Sequence, residues 1–458
     1  MKTNINKEKI LPYIFTLASM LLLLPHIFRS IYFRSELIGE QSYLHLTIAE
    51  SLQGNVTIYH FLLHTLSLFF PIYTLSKVVP FILGLGSLFF FYRLLKRFIA
   101  NDEQIFFILL ATVLSPVFLY TFTTSTPHAL TIFLIFLGLD LFIQEGKLSF
   151  LSIIFFALAS SSIFIAVIIA LLLGMYHVFV KKKSLSLFLN YGVMIFVNLF
   201  FHNPFFVSFI YTEKTFLLLL FSDFGGSFGF GIFTVILFLI GLGAYIRPLK
   251  FLLYPLILFF LASLFITAET ILYLQFFVAL FAGLGLYRLI SVEWNMSSMK
   301  TAVVIVLFCG LLFSVLSHIS RLSTAEPTPE LIASLEWLKT QPKGNVLSHY
   351  SNGFVIEEKT HFSPFVDSLS VQRSQKLLLM NALFHSRNLP AAQITLRNQN
   401  ISYILIDERM RQGLVWNEFD DGLLFLLHNK KVFSKVYDNE KIQIYFYESN
   451  ETKQLSKK

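Results

Sequence analysis

Charge is what this 458-residue chain has least of: Asp, Glu, Lys and Arg together make up 14% of it, against about 25% in an ordinary soluble domain. With 55% hydrophobic residues and a mean hydropathy of +0.70, it carries more apolar surface than a water-soluble core can absorb. Cysteine is nearly absent. The single one, Cys309, sits in an apolar run, which excludes an intrachain disulfide. Ionisable residues are also scarce in the middles of the long apolar runs, where ion- and proton-coupled transporters carry them, and this counts against a secondary transporter. The net charge of +8 is spread over small clusters beside apolar runs. Such clusters act as topological anchors, so no nucleic-acid partner is expected. No small-residue cleavage site follows the first apolar run, 10–28, so that run is expected to be a retained first span.

What is present is a succession of apolar stretches. A helix needs about 20 apolar residues to cross the hydrocarbon, because every backbone polar group must be satisfied internally. Stretches of roughly that kind lie at 10–28, 76–95, 104–121, 126–143, 148–162, 163–180, 185–203, 229–246, 251–267, 271–290 and 301–318. The expected fold is therefore an α-helical polytopic membrane protein with about eleven transmembrane helices. Within 148–180, Ser160, Ser161 and Ser162 mark either a tight turn between two spans or a break in one.

Lys and Arg concentrate in cytoplasmic loops. With the N-terminus cytoplasmic, Arg93/Lys96/Arg97, Lys147, Lys181/Lys182/Lys183, Arg247/Lys250 and Arg288/Lys300 all fall inside, provided 58–71 does not span. That segment, IYHFLLHTLSLFFP, is short and carries His60 and His64, so it is expected to lie on the membrane as an interfacial helix. The odd number of spans places the C-terminal domain and the loops 29–75 and 204–228 outside the cell membrane. Of the Asn-X-Ser/Thr tripeptides, those at Asn55, Asn400 and Asn450 fall outside and that at Asn295 inside. In the first loop, Leu44, Ile48 and Leu52 recur at helical spacing, which predicts an amphipathic helix on the outer surface. The second loop mixes aromatic residues with Glu213, Lys214, Asp223 and a glycine cluster, a composition suited to a mobile segment resting on the bilayer.

The hydropathy changes near the end of the last run, dividing the chain into a membrane domain, 1–320, and a soluble extracytoplasmic domain, 321–458. PELIASLEWLKTQP reads as a helix, and NVLSHY, NISYILID, KVFSKVYD and KIQIYFYE read as strands, with helical stretches near 371–385 and 417–428. The expectation is a small mixed α/β domain with a disordered tail.

Carboxylates on the outer side are the first candidates for chemistry. Glu36 and Glu40 follow the first span closely. Such a group acts as general base toward an acceptor hydroxyl or amide, or holds a divalent cation that neutralises a phosphate leaving group; position alone favours a solvated loop acid. Asp223, in FSDFGG, offers a second carboxylate beside glycines that permit close approach, and Lys214 beside Glu213 suits an anionic group. His45 and His128 are external and suit either a metal or an interfacial hydrogen bond. Asp140, Glu269 and His177 lie near span ends, where proximity to water removes the need for a functional account.

The order of first span, acidic external loop, surface helix, many spans, second external loop and C-terminal α/β domain resembles the GT-C glycosyltransferases. It is similar to the archaeal relatives of the oligosaccharyltransferase catalytic subunit and to protein mannosyltransferase-like enzymes. LIGEQSYLHLTIAESL resembles the segment in which an acid precedes an aromatic and His-bearing helix, and FSDFGGSFGFGIF resembles the second acidic loop. By that resemblance Glu40 is the catalytic and metal-binding acid with Glu36 as substitute, Asp223 and His128 are further metal ligands, and Tyr43, His45 and Lys214 lie beside the donor. The implied cofactor is a divalent ion, Mn or Mg. The implied partners are a polyprenyl-phosphate-linked sugar donor, membrane lipids and a protein or glycan acceptor. The sequence departs from the pattern in having one acid at position 40, no carboxylate in TTSTPHA, and SHYSNG where oligosaccharyltransferases carry a Trp-Trp-Asp motif for the Asn acceptor. A catalytically inactive member acting as an assembly or lipid-handling partner is thus the alternative expectation.

Overall fold

The computed structural model describes residues 10–32, 36–54, 56–144, 148–160, 163–180, 189–193, 196, 220–226, 228–245, 269–368, 375–418 and 420–447. These fall into two compact units: 1–35 with 48–324, and 36–47 with 325–458. The expected span 251–267, most of 185–203, and the residues Glu213 and Lys214 lie outside the described residues.

The described helices of the first unit are α1 (Ile10–Tyr32), the end of α2 (Gly39–Ser51), α3 (Ile58–Ser67), α4 (Ile72–Phe98), α5 (Asp102–Val113), α6 (Pro116–Thr123), α7 (Pro127–Ile143), α8 (Leu148–Ala159), α9 (Ile163–Val180), α10 (Ile232–Tyr245), α11 (Thr270–Ser291) and α12 (Ser297–Ser323). Among the described residues α1, α4, α11 and α12 are long and apolar enough to cross a membrane, and the α5–α6 pair makes a fifth candidate.

The stretch expected as one span at 104–121 is two helices bent by 61°. Its cause is local: Ser115 is extended and Pro116 opens α6, where a ring without an N–H cannot continue the ladder of α5. The segment expected to be interfacial forms the helix α3, started by a capping box in which the Thr57 amide donates to His60 Nδ1 at 2.8 Å. The helix expected on the outer surface also forms, as α2, but not with a single apolar stripe. Ser42, Tyr43, Leu44, Leu46, Ile48 and Ala49 are all buried, so it is enclosed on most of its circumference, while Leu52 lies past its end at φ 51°.

Two devices knit the membrane helices. Asp140 on α7, 1% exposed, pairs with Arg97 at 2.8 Å and Arg93 at 3.3 Å, both on α4. Its carboxylate also accepts from Gln144 at 2.9 Å. Nearness to water, the sequence-based account of Asp140, is therefore replaced by a buried ion pair. The second device is small residues at helix crossings: a methyl group at Gly241 of α10 would overlap the Phe281 carbonyl, and one at Gly285 of α11 the Leu237 carbonyl. Backbones approach this closely only where side chains are missing, the usual basis of helix association in lipid.

The second unit contains the start of α2, then α13 (Pro329–Leu338), β1 (Asn345–Leu347), α14 (Gly353–Thr360), α15 (Gln375–Phe384), α16 (Leu389–Asn398), β2 (Ile401–Ile406), α17 (Leu423–Leu427), β3 (Phe433–Asp438) and β4 (Gln443–Tyr447). The Thr328 hydroxyl caps α13 by accepting from the Leu331 amide, and Pro329 fills the first helical position. The sheet order is β1-β2-β4-β3, with β1 and β2 parallel and the other neighbours antiparallel. The helical crossover 348–400 is what a parallel pair requires. Leu347, Ile404, Ile406, Met380, Phe384, Leu396 and Trp416 form the core, with the Trp416 ring nitrogen donating to the Phe384 carbonyl at 2.8 Å. All four strands fall within the runs read as strands from the sequence.

Candidate functional site

Glu36 and Glu40 both belong to the second unit, and their surroundings separate them. Gly39, at φ 74°, makes the left-handed turn that starts α2, and its amide donates to the Glu326 carbonyl at 2.9 Å. A residue with a side chain is strained in that conformation, so the glycine is what sets Glu40 in the first turn of the helix. There a carboxylate also meets the positive end of the helix dipole.

Glu36 is committed. Its Oε2 accepts from the Tyr43 hydroxyl at 2.7 Å and pairs with the Lys359 ammonium of α14 at 2.8 Å. Tyr43 itself is fully buried, which makes it a positioning element for Glu36. Glu40, by contrast, accepts from the Ser368 hydroxyl and makes no ion pair among the described residues. Burial pushes its carboxyl up to about 7, with the neighbouring charge of Asp367 raising it and the Ser368 hydrogen bond and Arg409 lowering it. Burial followed by Asp367 likewise raises Glu357 on α14, and burial followed by Glu40 raises the phenol of Tyr350. An acid held near neutrality is half ionised at ordinary pH, the state a general base needs. His45 is half-buried on α2.

A polar network braces the segment SHYSNG beside these groups. Buried Asn352 donates to Asp407 Oδ2 at 2.9 Å and to Ser348 at 3.1 Å, while Arg409 reaches Asn352 Oδ1 at 3.1 Å, Asp407 at 3.0 Å and Glu326 at 3.1 Å. The His349 and Tyr350 rings lie 4.0 Å apart at 38°. Ser368, Lys359 and Arg409 were not legible as site residues, since each stands among other polar residues of the C-terminal stretch and the acid it acts on, Glu36 or Glu40, lies more than three hundred residues away in the chain.

In the first unit, Asp223 sits in a one-turn 3-10 segment, Ser222–Phe224. The loop around it, expected to be mobile, is closed in its described part: the Ser222 amide donates to the Phe230 carbonyl at 3.0 Å and the Phe230 amide to the Leu220 carbonyl at 2.8 Å. Asp223 Oδ2 accepts from the Ile232 amide at 2.7 Å, which caps α10, and from the Ser314 hydroxyl of α12 at 3.1 Å. Its Oδ1 is buried with no hydrogen-bond partner among the described residues. His128, at the start of α7, bonds the Tyr273 hydroxyl through Nδ1 at 2.8 Å and faces Glu269 from Nε2 at 3.6 Å.

A hard divalent cation takes six or more oxygen ligands, of which carboxylates supply the charge. Asp223 Oδ1 is one such oxygen, yet among the described residues no group of three His, Cys, Asp or Glu side chains gathers anywhere. Within either unit the described side chains thus fall short of a metal centre.

The helical membrane unit and the small mixed sheet define a class: the fold is similar to that of the GT-C membrane glycosyltransferases, and the chain is a multi-pass membrane protein. The particular likenesses are to solved structures. The Archaeoglobus fulgidus oligosaccharyltransferase AglB, in complex with an inhibitory peptide and a dolichol-phosphate, aligns over 97% of this chain and 75% of its own, with a TM-score of 0.61 at 12% identity. The A. fulgidus oligosaccharyltransferase in complex with Zn and sulfate aligns over 92% and 71%, with a TM-score of 0.57 at 13% identity. ArnT from Cupriavidus metallidurans bound to undecaprenyl phosphate aligns over 96% and 98%, with a TM-score of 0.52 at 10% identity. No family model and no curated protein sequence matches the chain.

Proposed function

We propose that this protein is a membrane glycosyltransferase that moves a sugar or glycan from a polyprenyl-phosphate-linked donor to a protein or glycan acceptor at the outer membrane face. In this reading about eleven helices span the bilayer, the N-terminus is cytoplasmic and the C-terminal domain is outside. The observation that carries it is the contrast between the two acids of α2 and the residues before it: Glu36 is paired directly with Lys359, whereas Glu40 makes no ion pair among the described residues and feels Arg409 only at longer range.

Glu40 takes the proton of an acceptor hydroxyl or amide as that oxygen or nitrogen bonds to the anomeric carbon, and the lipid phosphate departs with the electron pair of the broken glycosidic bond. Two supports stand behind the reading. Glu40 is half ionised near pH 7, and the similar structures carry dolichol-phosphate or undecaprenyl phosphate. Tyr43 and Lys359 hold Glu36 out of the chemistry, so Glu36 shapes the first turn rather than replacing Glu40. His45 and Lys214 remain donor-side candidates.

The test is transfer from a lipid-linked sugar by the Glu40→Gln protein; undiminished transfer sinks the assignment. The competing reading is a non-catalytic member that assists assembly or handles lipid. It is favoured by the engagement of Asp223 as a cap of α10, and it expects no transfer from any lipid-linked sugar.

A further inference from the structure

Among the described residues outside the Glu40 site, unsatisfied polar atoms gather between the segments 220–226 and 228–231 and one face of α12. Ser314, His318 and Arg321 fall at helical spacing on that face. Ser314 donates to Asp223, and Arg321 donates to the Gly226 carbonyl at 3.1 Å and reaches His318 Nδ1 at 3.4 Å. A Cβ on Gly231 would lie 2.7 Å from Ser314 Oγ and 3.5 Å from Thr234 Oγ1, which brings the first turn of α10 to the same place. Five buried atoms here have no hydrogen-bond partner among the described residues: Ser222 Oγ, Asp223 Oδ1, Thr234 Oγ1, His318 Nε2 and Arg321 Nε. Ser222, Thr234 and His318 are at most 2% exposed.

A buried polar group is costly to leave unpaired, so a cluster of five on neighbouring segments is a place where a polar ligand would be favoured. Their chemistry restricts what that partner is. The carboxylate oxygen only accepts, the guanidinium nitrogen only donates, and the hydroxyls and the imidazole do either. A phosphate would meet Asp223 and a metal ion would meet Arg321, each facing a charge of its own sign. A ring bearing several hydroxyls satisfies both, because each hydroxyl donates to one group and accepts from another.

We infer that Ser222, Asp223, Thr234, His318 and Arg321 form a recognition site for the hydroxyls of an uncharged sugar ring. Resting on the glycosyltransferase reading, this gives the sugar of the lipid-linked donor a place of its own, apart from the chemistry assigned to Glu40. Asp223 and Arg321 bind hydroxyls and touch no bond that breaks.

The test uses the full-length protein in detergent with glucose, mannose, galactose and N-acetylglucosamine as probes, read by saturation-transfer NMR. At least one hexose is expected to show transfer that Arg321→Gln and Thr234→Val reduce about tenfold or more in affinity, while inorganic phosphate fails to compete. Asp223→Asn also loses a helix cap, so Thr234→Val and Ser222→Ala, which spare that cap, guard against mere misfolding. Absence of a signal from every sugar, an unchanged signal in all variants, or displacement by phosphate overturns the inference. Turnover is not needed for this measurement. Sugar binding without transfer therefore refutes only the enzyme assignment, and Glu40-dependent transfer without sugar binding refutes only the site proposed here.

Discussion

Replacing Glu40 by Gln keeps the length of the side chain and an oxygen for Ser368 while removing the proton-accepting site. A positioned general base contributes about 10²- to 10⁴-fold, which at 1.36 kcal/mol per decade is roughly 3–5 kcal/mol of barrier. The pH profile identifies the base. With its carboxyl raised to about 7, the ionised fraction climbs from about a tenth at pH 6 to about nine tenths at pH 8, whereas an ordinary glutamate is almost fully ionised across that range. Transfer by the native protein should therefore rise nearly tenfold between pH 6 and 8, and Asp367→Asn, which removes a neighbouring negative charge, should move the profile to lower pH. Arg409→Gln should move it to higher pH.

Stability provides an independent check with a fixed sign. A carboxyl raised on folding binds its proton more tightly in the native state, so stability is highest below the unfolded value and falls as pH rises toward 7. Glu40→Gln should accordingly melt higher than the native protein at pH 8 while transferring less. The assays are radiolabelled transfer from a lipid-linked sugar and thermal unfolding in detergent. A native profile flat from pH 6 to 8, or a Gln variant that melts lower at pH 8, refutes the reasoning.

Glu36→Gln should reduce transfer far less than Glu40→Gln, because its carboxylate is already held by Lys359 and Tyr43; equal losses in steady-state kinetics would count against the separation of the two acids. Asp140→Asn should destabilise the membrane unit by roughly 1–3 kcal/mol, below the usual cost of breaking a fully buried pair because Arg93 and Arg97 are partly exposed. A lowered melting temperature with normal expression would show it. Gly285→Val should abolish folded protein in size-exclusion chromatography, whereas Gly243→Ala, with nothing within 4 Å of its would-be Cβ, should be tolerated.

Apolar runs and strand patterns were readable because each is a local property: the four strands and α13 follow from alternation, turn residues and a capped start. The bend between α5 and α6 was also local, written in Ser115 and Pro116, yet hydropathy averages over such a break. What could not be read was pairing. Asp140 meets Arg93 and Arg97 across helices, Glu36 meets Lys359 more than three hundred residues away, and Ser368 meets Glu40 from an equally remote loop. One signal was available: Arg321, a lone basic residue at the outer end of the last expected span, runs against the rule that gathers such residues on the cytoplasmic side.

The grouping of 36–47 with 325–458 has a consequence for how the chain is made. The first stretch leaves the ribosome about 290 residues before its partners do, which at 5–20 residues per second is roughly 15–60 s. Through that interval Glu36 has no Lys359 and Glu40 no Ser368. A protein shortened after Thr324 would stay in that unfinished condition permanently, with the candidate base present in the chain and the walls that tune it never synthesised.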